Sequence, residues 1–314
     1  MTRVLVTGAT GFIGTTLCAQ LAAAGYRVRA ALRVSRPLPE CVAESAVTGD
    51  LATVSDWRPA LEDVELVVHA AALTHMVHAA PADARRYADI NARGTGRLAQ
   101  AAAAAGVRRF VYLSSIKVNG EESTRSYRPD DRPNPQDLYA CSKLEGEEQL
   151  RAAAASGMQA VIVRPPLVYG PDVRANFLRL MRWVDRGWPL PFGAIHNRRS
   201  LVNVWNLSDL IVTLLTHPRS VDGVWLVSDG EDQSTPELMR RLGGALQRGV
   251  RLLPVPMGVL RICGALAGRR AEMTRLLGSL TVDMAATRAL PWSAPVAMEE
   301  ALARTAAWYR AKCR

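Results

Sequence analysis

The chain has 314 residues and a formal net charge of +10, and 49% of its residues are apolar. This size and composition are ordinary for a globular protein of one large α/β unit or two closely joined domains. The five cysteines are scattered and form no Cys-x-x-Cys or Cys/His cluster. This argues against a disulfide framework or a metal site and favours a reducing, cytoplasmic location.

No membrane insertion is expected from the apolar segments. The N-terminus runs directly into a strand without the apolar core of a signal peptide, and the longest apolar stretch, 252–266, is broken by Pro254, Pro256 and Arg261. We interpret that stretch as a packed helix of a second domain, with a membrane-surface role as the alternative. The positive charge suits an anionic small substrate. Nucleic acid is a less suitable partner, because the arginines are spread out and only four phenylalanines accompany them.

The chain begins with a strand over residues 3–7, a glycine-rich turn and a helix. The glycine spacing lets the backbone approach a pyrophosphate and lets the helix pack on the strand, with the free N–H groups of the helix N-terminus facing the phosphates. Between a strand and a helix, such a turn predicts dinucleotide binding. The residues assigned to it are Gly8, Gly11, Phe12, Ile13 and Gly14.

The end of the second strand predicts which dinucleotide is bound. A site for NAD carries an acid there, bonded to the adenosine 2′-hydroxyl, but this sequence reads Ala30-Ala31-Leu32-Arg33. Arg33 could instead meet a 2′-phosphate, unless it is only a solvated loop residue. We therefore expect NADP(H), with NAD(H) as the alternative.

Strands and helices continue to alternate through residue 163. This rhythm predicts a doubly wound parallel sheet with ligands at the carboxyl ends of its strands. Ser114 and Ser115 follow one of these strands. The strand-end residues assigned to the dinucleotide are Asp50, Leu51, Ala70, Ala71, Ala72 and Pro166.

Tyr139 and Lys143 lie four residues apart on a helix predicted over residues 138–155, so their side chains share one face. A phenol beside an ammonium can donate and accept a proton, and the positive charge should lower the pKa of the phenol. Taken alone, this spacing is common. It gains weight from the glycine turn and from Ser115 earlier in the chain.

The glycine turn, Ser115 and the Tyr139/Lys143 pair, in this order, resemble the extended short-chain dehydrogenase/reductase family, and nucleotide-sugar epimerases, dehydratases and 4-ketoreductases are its nearest members. The segment Arg164–Pro171 matches a further motif of that family. The resemblance implies that Ser115, Tyr139 and Lys143 are catalytic, that Tyr139 and Lys143 also contact the cofactor, and that the protein is a homodimer acting on a UDP-sugar. The residues that it assigns to the substrate are Ser114, Ser115, Asn176 and Arg199.

The alternation and the resemblance together predict a Rossmann-type α/β fold with a smaller, mostly helical C-terminal substrate-binding domain. We expect a dinucleotide-binding domain of residues 1–168 and 201–229, in which a strand over residues 201–204 returns to the central sheet. The nucleotide-sugar-binding cap should then comprise residues 169–200 and 230–314.

The residues after Ser115 narrow the expected reaction. Family dehydratases carry Asp-Glu where this chain has Ile116-Lys117, which argues against a 4,6-dehydratase. The run 114–120 is most similar to bacterial 4-ketoreductases that form UDP-N-acetylquinovosamine for O-antigen and other surface polysaccharides. We expect reduction of the C4 keto group of a UDP-4-keto-6-deoxy-N-acetylhexosamine. The alternatives are a UDP-glucose or UDP-N-acetylglucosamine 4-epimerase with retained NAD, and a dinucleotide-sensing module without enzymatic activity.

Overall fold

Seven parallel strands form the central sheet of the protein. The computed structural model describes residues 1–74, 83–155, 157–268 and 270–313. The described strands, of which all but β7 and β8 belong to this sheet, are β1 (Arg3–Thr7), β2 (Arg27–Leu32), β3 (Glu44–Val47), β4 (Leu66–His69), β5 (Arg109–Leu113), β6 (Gln159–Arg164), β7 (Leu167–Tyr169), β8 (Leu201–Asn203) and β9 (Gly223–Leu226).

The helices alternate with the strands in the first part of the chain and dominate the last part. They are α1 (Phe12–Ala23), α2 (Arg58–Leu61), α3 (Asp83–Tyr87), α4 (Gly94–Ala104), α5 (Leu138–Ala154), α6 (Ala175–Asp185), α7 (Val204–Thr216), α8 (Thr235–Leu246), α9 (Met257–Leu266), α10 (Arg270–Leu277), α11 (Ala285–Arg288) and α12 (Met298–Lys312). A π-helical segment, Ala88–Arg93, joins α3 to α4, and a 3₁₀ turn, Ile116–Val118, follows β5. Within the described ranges, none of these helices combines the length and the apolar character needed to cross a bilayer.

The chain packs into two units. The first comprises Met1–Asn119, Arg132–Pro165 and Leu207–Leu226, and the second comprises Gly120–Asp131, Pro166–Asn206 and Val227–Arg314. These units are defined by packing alone. The assignment of residues 1–168 and 201–229 to the cofactor, and of 169–200 and 230–314 to the substrate, therefore stays a prediction.

The central sheet lies in the first unit and has the strand order β3-β2-β1-β4-β5-β6-β9, with every pair parallel. The predicted doubly wound α/β fold is confirmed. Every residue of β4 and β5 is buried, as expected for central parallel strands that are covered on both faces. On one face, Leu5, Phe110 and Ile162 from the strands share a buried cluster with Leu98 of α4 and Leu150 of α5. This packing fixes α5, the helix of Tyr139 and Lys143, against the sheet.

The strand order reverses between β1 and β4. Thr7 at the end of β1 is in register with His69 at the end of β4, and the next residues are Gly8 and Ala70. In a doubly wound sheet the reversal opens a crevice at the carboxyl ends of the strands, where ligands bind. The glycine turn and the Ala70–Ala72 segment therefore both lie at the topological switch point.

A separate two-stranded parallel sheet, β7 with β8, lies in the second unit. The sequence pattern predicted that residues 201–204 return to the central sheet, and this prediction is wrong. The partly buried carboxylate of Asp229 explains the observed pairing, because it accepts hydrogen bonds from the Tyr169 hydroxyl (2.8 Å) and from the Asn203 backbone (3.0 Å) and side chain (3.0 Å). It thereby ties both strands of the small sheet together. The remainder of the second unit is mostly helical.

Candidate active site

The glycine turn has no room for side chains at two of its positions. Gly8 has φ +72°, and a Cβ there would lie 2.7 Å from the backbone nitrogen of Ala71. A Cβ at Gly14 would lie 2.0 Å from the Gly8 carbonyl oxygen. The sequence therefore needs glycine at both positions so that the turn can pack against the segment after β4 and α1 can pack against the turn.

The N-terminus of α1 is open for an anion. Its N-cap residue is Gly11, which has no side chain to cap the helix, and the Gly11 amide itself donates to the Gly8 carbonyl at 2.9 Å. The backbone amides of Phe12, Ile13 and Gly14 make up the first turn and lack intrahelical acceptors. A pyrophosphate fits such a cradle, because the N–H groups and the helix dipole both favour negative charge.

At the other end of the expected cofactor site, Arg33 lies near a carboxylate. Its guanidinium is 4.0 Å from the carboxylate of Asp50, and one oxygen of Asp50 accepts a hydrogen bond from the Ala52 amide at 2.9 Å. The backbone carbonyl of Leu51 accepts a hydrogen bond from Arg97 at 2.5 Å. The structure thus brings Arg33 and Asp50 to the same edge of the sheet, although they are far apart in the sequence.

A directional hydrogen-bond chain supports the residues at the switch point. Thr95 donates to the Asn91 carbonyl (2.7 Å), so the Thr95 hydroxyl must accept from Nε2 of His69 (3.0 Å). Nδ1 of His69 is then unprotonated and accepts from the Thr7 hydroxyl (2.6 Å), which in turn accepts from the Ala71 amide (3.2 Å). His69 is completely buried, and burial lowers its pKa to about 3. It is therefore a neutral residue that orders the start of the Ala70–Ala72 segment.

Asn91 is a site residue that the sequence reasoning missed. Its side-chain oxygen accepts from the Leu73 amide (2.8 Å), and its amide group donates to the Leu73 carbonyl (2.9 Å) and to the Ser142 hydroxyl (3.0 Å). Ser142 donates to the carbonyl of Tyr139 at 2.8 Å. The loop after β4 and the first turn of α5 are thus joined through one buried amide. A polar side chain at the start of an alanine-rich helix was the available signal.

Tyr139 lies in the first turn of α5 and is hydrogen-bonded with Ser115. Asp137 caps this helix by accepting from the Ala140 amide (2.7 Å), and its second oxygen accepts from the Lys117 ammonium (2.5 Å). Burial and the negative charge of Asp137 raise the pKa of Tyr139, and the hydrogen bond with Ser115 lowers it. The sequence predicted a lowered pKa, which the structure contradicts, because burial of the phenol outweighs the favourable contacts.

Lys143 lies one turn after Tyr139 and is almost completely buried, at 1% exposure. Its ammonium sits 4.0 Å from the centroid of the Tyr112 ring, in cation–π geometry. Burial lowers the pKa of Lys143 to about 7, and the nearby carboxylate of Glu147 raises it. The lysine is therefore poised to lose or gain a proton near neutral pH, so its own charge is only partly present to act on Tyr139.

Ser114 and Pro166 are both buried. The Ser114 hydroxyl donates to the carboxylate of Glu147 at 2.6 Å, so this side chain supports α5. Ser115, one residue on, is the partly exposed member of the serine pair and carries the contact with Tyr139.

In the second unit, the candidate substrate residue Arg199 is held by its backbone. Its amide donates to the carbonyl of Gln233 and its carbonyl accepts from the Gln233 amide, both at 2.9 Å. Its guanidinium donates to the Gly278 carbonyl (2.9 Å), and burial, together with the charge of Arg275, lowers its pKa. Two arginines near each other suit a diphosphate.

Asn176, also assigned to the substrate, lies in the first turn of α6. Its side-chain oxygen accepts a hydrogen bond from Arg179 at 2.6 Å. Glu121 is a further residue of the Arg199 region that the sequence reasoning missed, and it binds Arg275 through both oxygens, at 3.2 and 3.3 Å.

Comparison with known proteins bears on this arrangement. The model of the NAD dependent epimerase/dehydratase family matches residues 4–227. A Vibrio cholerae protein named UDP-glucose 4-epimerase is 42% identical over 310 residues, which cover 96% of this chain and 94% of that protein.

Solved structures are similar over almost the whole chain. MoeE5 in complex with UDP-glucuronic acid and NAD is 27% identical, with a TM-score of 0.78 over 98% of this chain and 99% of that one. The UDP-glucuronic acid 4-epimerase from Bacillus cereus in complex with NAD has a TM-score of 0.80 over 100% of both chains at 21% identity, a likeness of fold.

Proposed function

The chain belongs to the NAD dependent epimerase/dehydratase family, and we propose that within it the protein is a UDP-hexose 4-epimerase that works with a retained NAD(H). The geometric observation that carries this proposal is the hydrogen bond between Ser115 and Tyr139, with Lys143 one helical turn away. The 42% identity to a UDP-glucose 4-epimerase, over nearly the full length of both chains, supports inversion at C4 better than the 4-ketoreductase that the run 114–120 favoured.

In this reaction the bound nicotinamide would supply reversible hydride exchange with C4 of the sugar. Tyr139 removes the proton from O4 as the C4–H bond breaks, and it returns that proton when the C4–H bond re-forms on the opposite face. Ser115 donates a hydrogen bond to O4 and stabilises the charge that develops there. Because burial raises the pKa of Tyr139, the protonated Lys143 is needed to favour the phenolate.

The cofactor proposal is NAD(H), which differs from the NADP(H) favoured by the end of β2. The description of the family and the NAD bound to MoeE5, at 27% identity, support NAD. The position of Asp50 supports it physically, because a carboxylate 4.0 Å from Arg33 offsets the positive charge that a 2′-phosphate would need. The same carboxylate could accept hydrogen bonds from ribose hydroxyls, and so takes the place of the acid that is missing at the end of β2.

For the substrate, Arg199 is proposed to bind the diphosphate of a UDP-sugar. Its guanidinium can donate hydrogen bonds to two phosphate oxygens at once, and its backbone N–H and carbonyl are both hydrogen-bonded to Gln233. The resemblance also predicts a role in surface-polysaccharide synthesis, and it predicts a homodimer. Both of these stay predictions.

A 4-ketoreductase is the second candidate. The run Val118-Asn119-Gly120 and the absence of an acid directly after β2 favour it. Purified protein should be denatured and its released nucleotide identified, and the protein should be incubated with UDP-glucose or UDP-N-acetylglucosamine without added cofactor. An epimerase releases NAD or NADH and converts either substrate to its C4 epimer, visible by NMR. A 4-ketoreductase instead consumes added NADPH or NADH with a UDP-4-keto sugar, and that result would replace the proposal.

Variants separate the chemistry from cofactor binding. Tyr139→Phe should keep the bound nucleotide and lose turnover by about 10²- to 10⁴-fold. Tyr26→Phe is the matched control, because Tyr26 directly precedes β2, at the end of the sheet opposite the strand carboxyl ends. Near-normal turnover of Tyr139→Phe would remove Tyr139 from its role. Tight nucleotide binding without turnover of any UDP-sugar would support a dinucleotide-sensing module instead.

A further inference from the structure

The second unit exposes a stripe of large apolar side chains on α9. Val259, Ile262 and Leu266 are 49%, 62% and 86% exposed, and their spacing of three and four residues puts them on one face of the helix. The opposite face is packed, because Leu260 and Gly264 are buried and a Cβ at Gly264 would lie 2.1 Å from the Met273 side chain on α10. The helix is therefore anchored on one side and apolar on its open side.

Two more exposed apolar residues lie on the segment before α9 and on a loop that is hydrogen-bonded to that segment. Leu253, which is 50% exposed, lies four residues before the start of α9, and Trp188 is 62% exposed. The loop of Trp188 is tied to the same segment, because the Leu190 amide donates to the Arg251 carbonyl and the Leu253 amide donates to the Leu190 carbonyl, both at 2.8 Å. We define Trp188, Leu253, Val259, Ile262 and Leu266 as the apolar patch.

The sequence on either side of the apolar patch is rich in arginine. Between Glu237 and Glu272 the sequence contains no acid and seven arginines, namely Arg240, Arg241, Arg248, Arg251, Arg261, Arg269 and Arg270. Two of these arginines are neutralised, because Arg241 pairs with Glu231 (3.1 Å) and Arg248 pairs with Asp185 (3.2 Å). Arg251 and Arg261 are exposed, and neither pairs with a carboxylate among the residues that the structure describes. The guanidinium of Arg186 lies 5.2 Å from the centroid of the Trp188 ring.

We infer that the apolar patch docks on the surface of an anionic lipid bilayer. Exposed apolar residues rimmed by arginines on a short helix have the character of an interfacial element, whose apolar side chains enter the headgroup boundary while the cations bind lipid phosphates. A tryptophan at the edge of such a surface suits the boundary, because its ring is apolar and its N–H is polar. With ten residues, α9 can lie on a bilayer but cannot cross it.

Charge decides between a bilayer and a second copy of this chain. A symmetric contact through the apolar patch would bring the two arginine-rich surfaces together, and like charges across an interface disfavour association. An anionic membrane has the complementary charge, and its attraction for each arginine near the surface adds to the burial of the apolar side chains.

The test is vesicle flotation of the full protein. Vesicles of phosphatidylcholine with phosphatidylglycerol should carry the protein at low salt, pure phosphatidylcholine should carry much less, and high salt should weaken the binding. The variant Ile262→Ser/Leu266→Ser should lower the vesicle-bound to free ratio at least tenfold. Arg251→Gln/Arg261→Gln should lower binding to the anionic vesicles specifically. Val47→Ser, which changes an exposed valine of β3 in the first unit, is the matched control and should bind as the unaltered protein does.

Several outcomes would overturn the inference. The first is that the unaltered protein does not float with anionic vesicles at low salt. The second is that Ile262→Ser/Leu266→Ser binds these vesicles as well as the unaltered protein does and has the same melting temperature. The third is that the unaltered protein binds no vesicles and forms a dimer in light scattering, which this variant dissociates. The last result would assign the apolar patch to a second copy. The dependence of the unaltered protein on lipid charge is a measurement that needs no variant to fold.

Discussion

The carboxylate of Glu147 accepts two hydrogen bonds from the guanidinium of Arg164, at 2.8 and 2.6 Å, and neither side chain is more than 2% exposed. The third nitrogen of Arg164 donates to the side chain of Asn119 at 3.0 Å, and Glu147 also accepts from Ser114. Glu147 lies one turn after Lys143 on α5, and Arg164 ends β6. The pair therefore fastens the helix of the candidate catalytic residues to the end of a central strand.

Removing one partner of this pair should be costly. Glu147→Gln leaves the Arg164 guanidinium buried without a counter-charge, and we expect a loss of about 3–5 kcal/mol in the free energy of unfolding. Urea unfolding monitored by circular dichroism measures this. The matched control is Glu300→Gln, which breaks the exposed pair of Glu300 with Arg304 on α12 and should change stability by less than ~0.5 kcal/mol.

The double variant Glu147→Leu/Arg164→Met sharpens this prediction. Replacing both charges by apolar side chains removes the desolvation cost of each, so part of the loss in Glu147→Gln should be recovered. A double variant that is less stable than Glu147→Gln would indicate that the hydrogen bonds to Ser114 and Asn119 matter more than the charge pair.

Features that depend on local sequence were predictable from it. The glycine turn, the alternation of strands and helices, and the shared face of Tyr139 and Lys143 each follow from short spacings. The doubly wound fold follows from that alternation, because right-handed crossovers leave few other topologies. The return of residues 201–204 to the central sheet was predicted wrongly, since the pairing of β8 with β7 depends on Asp229, which is 26 positions from Asn203.

Features that depend on burial and on distant contacts were not predictable. Asn91 acts on Leu73 and Ser142, which are 18 and 51 positions away, and no spacing rule connects them. Proximity of Lys143 suggested a lowered pKa for Tyr139, but the burial of both groups, which reverses that expectation, is visible only once the helix is packed.

Lys143→Met should stabilise the protein stripped of nucleotide while abolishing turnover. Lys143 releases its proton near pH 7 in the folded protein and near pH 10 when unfolded, so between these values the unfolded chain binds more protons and stability rises with pH. Methionine removes this cost. At pH 8 the gain should be about 2 kcal/mol after the lost contact with Tyr112, and it should shrink towards pH 10.

Melting temperatures of the two proteins at several pH values between 7 and 10 test this. Lys312→Met, which removes an exposed lysine near the end of α12 instead of a buried one, is the matched control. A Lys143→Met variant that is less stable than the unaltered protein at pH 8 would contradict the inferred cost of burying the lysine.

Arg109 and Arg108 are neighbours that should respond very differently to substitution. Arg109 is 2% exposed and donates to carbonyls at and beyond the C-terminus of α7, including Leu215 (2.9 Å) and His217 (3.1 Å). Arg109→Met leaves these carbonyls without donors and should cost about 2–4 kcal/mol of unfolding free energy. Arg108→Met should cost less than ~0.5 kcal/mol, because Arg108 is exposed and its pair with the exposed Glu65 contributes little to stability. Equal effects in urea unfolding would contradict the helix-capping role of Arg109.

His69 should make the protein sensitive to acid. It is neutral in the folded protein because its pKa is lowered to about 3, whereas in the unfolded chain it binds a proton below pH of about 6.5. The unfolded chain therefore holds the extra proton between these values, and the contribution of His69 to stability falls as the pH falls, by about 1.4 kcal/mol per pH unit. His69→Asn should destabilise the protein at pH 7, because the hydrogen bonds to Thr7 and Thr95 are lost, and this deficit should shrink by about 2.7 kcal/mol at pH 4.5.

Urea unfolding of both proteins at pH 7, 5.5 and 4.5 gives the difference directly, so that the titration of other groups cancels. His196→Asn, which removes an exposed histidine instead of a buried one, is the matched control. A deficit for His69→Asn that stays constant down to pH 4.5 would mean that His69 is protonated in the folded protein, and Nδ1 would then donate to the Thr7 hydroxyl instead of accepting from it.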